Sequence, residues 1–297
     1  MYHKFKRVQV DLLSIETTDV IAGGIELDTP VLLEIQNASF GYPTHRGWVV
    51  LLHNLYLTLY KGQWLVVLGP NGGGKSTLAR GLLRLSPILE GSLTVSSTSS
   101  MILRYIPQRL GAGILGETVA DELATARNCS YTGKQIADLL EELGLSVPLH
   151  SPVKKLSGGQ KQLLSFASAL LDNPDLLIVD EGAAMLNPAI RHRLLNFLEK
   201  KVRQTNLSIL WMTQQLEDIF YADEIAIVQN GTLLTGWHAR SFFYSEESPW
   251  QPSTCRKLGY IPPFSIQVGE ELYRRGIPWS ELPLQEIQSV ESAGVHS

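Results

Sequence analysis

The stretch 63–77, Gln63-Trp64-Leu65-Val66-Val67-Leu68-Gly69-Pro70-Asn71-Gly72-Gly73-Gly74-Lys75-Ser76-Thr77, decides the fold. It opens as an apolar run that stops at a Gly-Pro-Asn-Gly turn, the pattern of a parallel strand buried on both faces. A helical pattern follows from Lys75 to Leu85. Between strand and helix the residues fit G-x-x-x-x-G-K-[ST], a loop that binds phosphate when it stands in this context. Glycines let consecutive backbone N–H groups turn inward around the phosphates, where a Cβ would block the approach. The helix start adds its positive dipole end. Lys75 is placed to neutralise β- and γ-phosphate charge, and the Ser76 hydroxyl to ligate Mg²⁺. The candidate phosphate-binding set is Asn71, Gly72, Gly73, Gly74, Lys75, Ser76 and Thr77. A glycine-rich turn before an ordinary helix is the plainer alternative, but it does not account for strand, loop and helix occurring together.

A second apolar strand, Leu176-Leu177-Ile178-Val179-Asp180-Glu181, ends in two adjacent acids. Beside a phosphate loop, the strand-terminal Asp180 is a candidate Mg²⁺ ligand. Glu181 is the candidate base for the attacking water. About twenty residues upstream, Leu156-Ser157-Gly158-Gly159-Gln160 precedes an apolar helix. Ser157 suits the N-cap, and the glycines leave backbone N–H groups free for an anion.

Further out, Val31 to Phe40 and Leu51 to Tyr60 alternate as strands, flanking a turn-rich piece from Gly41 to Gly47. Glu90 to Val95 and Met101 to Ile106 are expected as short strands, with the Ser/Thr-rich Ser96 to Ser100 between them. Helical patterns dominate Val119 to Leu143, Gly159 to Leu171 and Pro188 to about Gln204. Ser208 to Met212 and Glu224 to Val228 complete the expected strands, and Asn230-Gly231 signals a hairpin. Strand–helix alternation of this kind implies an α/β fold with a mostly parallel sheet flanked by helices. After about Gly236 the composition shifts, and a helical piece is expected from Gln267 to Arg275.

Composition narrows the class. The 297 residues are 44% apolar with a formal net charge of −4. That is enough to bury a core, and no dense Lys/Arg block points to nucleic acid. The basic start (Lys4, Lys6, Arg7) is ordinary for a solvated terminus. Two cysteines, Cys129 and Cys255, lack metal-ligand spacing and argue against a disulfide scaffold. No run approaches the ~18 apolar residues of a membrane span. Asp11 and Glu16 interrupt any secretory leader, so a membrane role is expected only through a partner.

With phosphate loop, Leu156–Gln160 segment and acidic pair in this order, the chain resembles the ABC ATPases over roughly Val31 to Thr235. The resemblance implies a nucleotide-binding cassette with an antiparallel β subdomain and a helical subdomain beside the main sheet. It implies ATP and Mg²⁺ as cofactors, and a head-to-tail pair of cassettes. Each γ-phosphate then lies between one subunit's phosphate loop and the other's signature, here Ser157, Gly158, Gly159 and Gln160. Tyr42, in Phe40-Gly41-Tyr42-Pro43, matches the aromatic that stacks on adenine. Gln108, in Tyr105-Ile106-Pro107-Gln108, matches the glutamine that reports on Mg²⁺ and the attacking water, and it borders the surface where a membrane partner docks.

Three positions depart from the family. Gln214 stands where a histidine normally contacts the γ-phosphate, Asn187 where the inter-subunit loop usually carries Asp, and Gly182 where Pro follows the catalytic Glu. Gln214 keeps an amide donor but cannot become cationic. A subunit that binds ATP well, hydrolyses it slowly and lends an intact signature to its partner is the expectation.

Within the family the chain is similar to the ATPases of energy-coupling factor importers, which take up vitamins or metal ions. Lys61-Gly62-Gln63-Trp64, Cys255-Arg256-Lys257-Leu258-Gly259-Tyr260 and Glu271-Leu272-Tyr273-Arg274-Arg275-Gly276-Ile277-Pro278 carry that likeness. It implies an N-terminal extension over 1–30, a cassette over 31–235 and a small, dimerising C-terminal subdomain over 236–297. The implied partners are a second, related ATPase, an integral membrane coupling subunit and a small substrate-binding membrane protein, with the chain peripheral on the cytoplasmic face of the membrane. The rival readings are a soluble ABC ATPase and a non-hydrolysing ATP-binding regulatory subunit.

Overall fold

The computed structural model describes residues 29–45, 47–96, 101–109, 111, 113–126 and 131–284. The expected N-terminal extension up to residue 28, Cys129 and most of the Ser/Thr-rich stretch lie outside the described residues, as does the end of the chain from 285.

In chain order the elements are β1 (Val31–Thr44), β2 (Gly47–Tyr60), β3 (Trp64–Leu68), α1 (Lys75–Leu82), β4 (Glu90–Val95), β5 (Leu103–Ile106), α2 (Val119–Ala124), α3 (Gly133–Leu143), α4 (Gly158–Leu171), β6 (Leu176–Asp180), α5 (Pro188–Thr205), β7 (Ser208–Thr213), β8 (Glu224–Gln229), β9 (Thr232–Trp237), α6 (Ala239–Phe243), α7 (Thr254–Lys257) and α8 (Phe264–Arg274). They form an antiparallel sheet in the order β2-β1-β4 and a six-stranded sheet in the order β5-β6-β7-β3-β8-β9. The larger sheet is parallel except for the β8–β9 hairpin.

Strands β3, β6 and β7 are buried along their whole length. Successive side chains leave a strand on opposite faces, so each strand feeds two cores. Val66, Leu177, Val179, Ile209 and Trp211 join α4 and α5 on one face. Leu65, Val67, Ile178, Leu210 and Met212 meet α1 and the antiparallel sheet on the other. The first core is aromatic at its centre: Trp211 lies 5.8 Å from Trp64 and 6.1 Å from Phe166, centroid to centroid. Such pairs are worth about 0.5–1.5 kcal/mol beyond their buried area. Phe242, Phe243, Tyr244, Cys255 and Ile266 belong to this same core. Burial pushes the Cys255 thiol up to about 12, which leaves it inert at neutral pH.

Several elements differ from the sequence expectation. The strands β1 and β2 run on through the piece expected as a turn. They can do so because Gly41 lies against Val49 O, where a Cβ would collide. The helical stretch expected over Val119 to Leu143 is two helices. Each starts at its own capping box, Thr118 with Asp121 and Thr132 with Gln135, and such boxes define helix starts. The helix α8 begins at Phe264, three residues before its expected start, behind Pro263. Residues Ala239–Phe243, where no element was expected, form α6 with Phe242 and Phe243 buried. The described residues contain no helix long and apolar enough to cross a membrane.

Candidate nucleotide site

The six-stranded sheet places the candidate residues at the carboxyl ends of three adjacent strands. Leu68 of β3 pairs with Thr213 of β7, and Asp180 of β6 with Met212. Open α/β sheets bind ligands at that edge. Gly74, at φ +111°, turns the chain from the loop into α1, and a Cβ there would come within 2.7 Å of Leu52 Cδ2. No side chain caps α1. Its first N–H groups therefore have no intrahelical partner and face outward for an anion.

Lys75 is buried, and its Nζ donates to Gly69 O at 2.8 Å and Pro70 O at 3.1 Å. The same Nζ lies 3.0 Å from Glu181 Oε1. Glu181 sits at φ +52°, in the left-handed region. For a non-glycine residue this stores on the order of 1 kcal/mol or more of strain, a feature that clusters at functional sites. The turn points the carboxylate back over the sheet edge. There Glu181 accepts from Gln108 Nε2 at 2.9 Å and from Gln214 Nε2 at 2.9 Å. The Gln214 amide also donates to Asn71 Oδ1 at 2.6 Å.

Asp180 is 2% exposed. Burial raises its carboxyl above the usual range, while hydrogen bonds from Ser76 and Tyr105 pull it back. Tyr105 OH donates to Asp180 Oδ2 at 3.3 Å, and Asp180 Oδ1 is buried without a partner. Burial, followed by the Asp180 charge, pushes the Tyr105 phenol up to about 12. An orphaned carboxylate oxygen beside a hydroxyl fits Mg²⁺, a hard cation that takes one or two protein oxygens and completes its shell with phosphates and water. Among the described residues no cluster of three or more His, Cys, Asp or Glu side chains could hold a metal alone.

Thus Asn71, Lys75, Ser76, Gln108, Asp180, Glu181 and Gln214 converge, while two other groups of candidates lie in different parts of the fold. Ser157 caps α4: its Oγ accepts from Gln160 N, and Gln160 Oε1 accepts from Ser157 N at 2.9 Å. Gly159 lies against Met185 O and Leu186. Tyr42 is 44% exposed on β1, opposite Val49.

Sequence reasoning missed Tyr105 and the roles of two departures. Asn187 Oδ1 accepts from Ile190 N at 2.9 Å and caps α5, with Pro188 in the first turn; Asn-Pro is a helix-start signal. Gly182 occupies a space without room: a Cβ would lie 2.6 Å from Val179 Cγ1 and 2.9 Å from Ile106 Cγ2.

Residues 52–184, spanning the loop, Gln108, the Ser157–Gln160 cap and both acids, match the family model described as ABC transporter. This stretch is an ABC transporter domain. Over 261 residues the ATPase is 28% identical to the energy-coupling factor transporter ATP-binding protein EcfA1 of Geobacillus kaustophilus, covering 83% of this chain and 91% of that one. It is 31% identical to the methionine import ATP-binding protein MetN of Coxiella burnetii over 220 residues, 68% of this chain and 63% of the other. The fold of cbiO1 from Clostridium perfringens, part of the ABC transporter complex cbiONQ, superposes with a TM-score of 0.59 at 20% identity, covering 69% and 88% of the two chains.

Proposed function

We propose that this ATPase energises a membrane importer of the energy-coupling factor type, as one half of a head-to-tail cassette pair. The observation that carries the proposal is the meeting of Lys75, Asp180 and Glu181 at one sheet edge, in a chain whose likeness to EcfA1 proteins runs over most of its length.

In this reading residues 31–235 are the cassette and 236–297 an appended dimerising subdomain. Tyr42 supplies a flat face for adenine. The backbone N–H groups of Asn71 to Thr77 surround the phosphates. Lys75 exchanges its contacts with Gly69 O and Pro70 O for phosphate oxygens. Ser76 and Asp180, with Gln108 at the rim, would hold Mg²⁺, which would supply charge neutralisation for the phosphates. Glu181 orients the attacking water and takes its proton. Gln214 donates its amide to the γ-phosphate in place of the family's histidine. Ser157, Gly158, Gly159 and Gln160 complete the partner's site rather than their own, which fits their separation from the Lys75 cluster within this chain. The partners are a second ATPase and an integral membrane coupling subunit, on the cytoplasmic face of the membrane. The cargo is a vitamin or a metal ion.

Gln214 also favours a second reading, a subunit that binds ATP without hydrolysing it. An amide donates to phosphate but cannot add a positive charge. One experiment separates the two. The full chain is co-purified from its native membranes, and ATP turnover is measured for the wild type, Glu181→Gln and Gln214→His. The expected result is recovery of a related ATPase and an integral membrane subunit, partial loss of turnover in Glu181→Gln, and a several-fold gain in Gln214→His. Turnover indifferent to Glu181→Gln marks the non-hydrolysing subunit. Recovery with soluble proteins alone removes the transport assignment.

A further inference from the structure

Behind Gln214 lies a buried polar network that the reaction as described does not use. Asp218 sits in the 3-10 turn Leu216–Tyr221 and is 1% exposed. Its Oδ1 accepts from Arg191 Nη2, on the first turn of α5. Its Oδ2 accepts from Trp211 Nε1 at 2.9 Å and from Thr213 Oγ1 at 2.6 Å, both on β7. Thr213 Oγ1 in turn accepts from Gln215 N at 3.0 Å. Both chain neighbours of Gln214 are therefore tied to one buried carboxylate, directly for Thr213 and through that hydroxyl for Gln215.

The network reaches toward Glu181 along a second route. Glu181, Ala183, Arg191, Thr213, Gln214 and Asp218 all line one cavity of about 40 Å³. Arg191 leads back through α5 and its Asn187 cap to the segment that follows Glu181. Arg191 Nε is buried without a hydrogen-bond partner. A structural ion pair optimised for stability alone would be expected to satisfy that donor. Buried pairs are weak stabilisers but strong determinants of geometry, since breaking one leaves an uncompensated charge.

We infer that Asp218, with Arg191, is a positioning residue for ATP hydrolysis: it fixes the backbone on both sides of Gln214, so that the Gln214 amide meets Glu181 and the phosphate loop together. The inference rests on the hydrolytic reading of the site. Asp218 is buried against Arg191, Trp211 and Thr213, so its influence passes through Gln214. In this chain the role carries more weight, because an amide in place of histidine must be aimed by geometry rather than drawn in by charge.

The test is a double-mutant cycle on the co-purified full complex, with turnover surviving Glu181→Gln subtracted. Asp218→Asn keeps size and acceptor oxygen but loses the charge facing Arg191. It is expected to lower kcat on the order of tenfold, as when a reacting group is displaced by a fraction of an ångström, with KM for ATP within about twofold of wild type. Gln214→Ala lowers kcat by itself. The double variant should be no slower than Gln214→Ala, because residues acting as a unit are non-additive. Thr213→Val, which removes the bridging hydroxyl and leaves the ion pair intact, gives the same non-additive loss even where Asp218→Asn folds poorly. Multiplying effects, or an unchanged kcat in both Asp218→Asn and Thr213→Val, would overturn the inference while leaving the ATPase assignment in place. A wild-type complex with no Glu181-dependent turnover would instead remove the hydrolytic reading, and this inference with it.

Discussion

At the scale of the residue, chemistry that is local in sequence was legible and chemistry that depends on register was not. Lys75, Asp180 and Glu181 announce themselves through spacing, because a phosphate loop and a strand-terminal acid each need particular residue types at fixed positions. Tyr105 reaches Asp180 only because β5 pairs with β6 in a register that sets Tyr105 opposite Ile178. Nothing within either segment specifies that pairing. Glu224 illustrates the same dependence on neighbours that are remote in sequence. Burial raises its carboxyl, while a hydrogen bond from Gln63 Nε2 at 2.9 Å and the nearby His238 oppose the rise. An acid with a raised folded pKa costs stability when ionised; the cost is full above the folded pKa and disappears below the unfolded value of about 4.3. Glu224→Gln keeps an acceptor for Gln63 and is expected to raise Tm at pH 7.5, the advantage shrinking toward pH 4. Thermal melts across that range check it, and a variant melting below wild type at pH 7.5 contradicts it.

At the scale of the element, helix starts explain most of what the sequence reading got right and wrong. Ser157 was recognised as an N-cap, and its capping box with Gln160 sets the first residue of α4. The boxes at Thr118 and Thr132 carry the same signal, yet the apolar periodicity of Val119 to Leu143 hid the break between them. Gly182 is an element-level constraint that only packing reveals, since its space is filled by Val179 of β6 and Ile106 of β5. Restoring the family's proline there is expected to destabilise. Gly182→Pro should cost about 1–3 kcal/mol, the usual penalty for overpacking. Pairing it with Val179→Ala should recover part of that loss in denaturant melts. Equal stability of Gly182→Pro and wild type would mean that the β5–β6 junction yields more readily than its contacts imply.

At the scale of the whole molecule, the strand–helix alternation gave the α/β class and the parallel sheet, while the attachment of the C-terminal elements stayed hidden. Ser241 to Ser253 reads as polar, aromatic and Pro-bearing with no periodicity to show a buried face, yet Phe242, Phe243 and Tyr244, with Ile266 beyond, complete the core that contains Trp211 and Phe166. Tyr244 OH donates to Pro283 O at 2.7 Å, and the ring lies so close to Gly269 that a Cβ there would collide. Arg256 and Glu270 close the same region with a two-point ion pair. Full burial of each such large apolar side chain is worth about 1.5–3 kcal/mol. A chain ending at Trp237 is therefore expected to lose much of its stability and to aggregate. Expression of the truncated cassette, followed by size-exclusion chromatography and calorimetry, checks this; a soluble cassette melting within a few degrees of the full chain would show that the appended elements are dispensable.

Trp211 gives the molecule an optical property. It is one of six tryptophans, and its indole N–H is bonded to Asp218 while its ring lies among Trp64 and Phe166. Trp48 and Trp250, by contrast, stand in solvent at 46% and 74% exposure. A water-borne quencher extinguishes the exposed pair and leaves the light from the interior. The ATPase thus carries, without any label, an interior emitter bonded to the turn beside Gln214, so that a movement of that turn on addition of nucleotide would be read in real time by its glow.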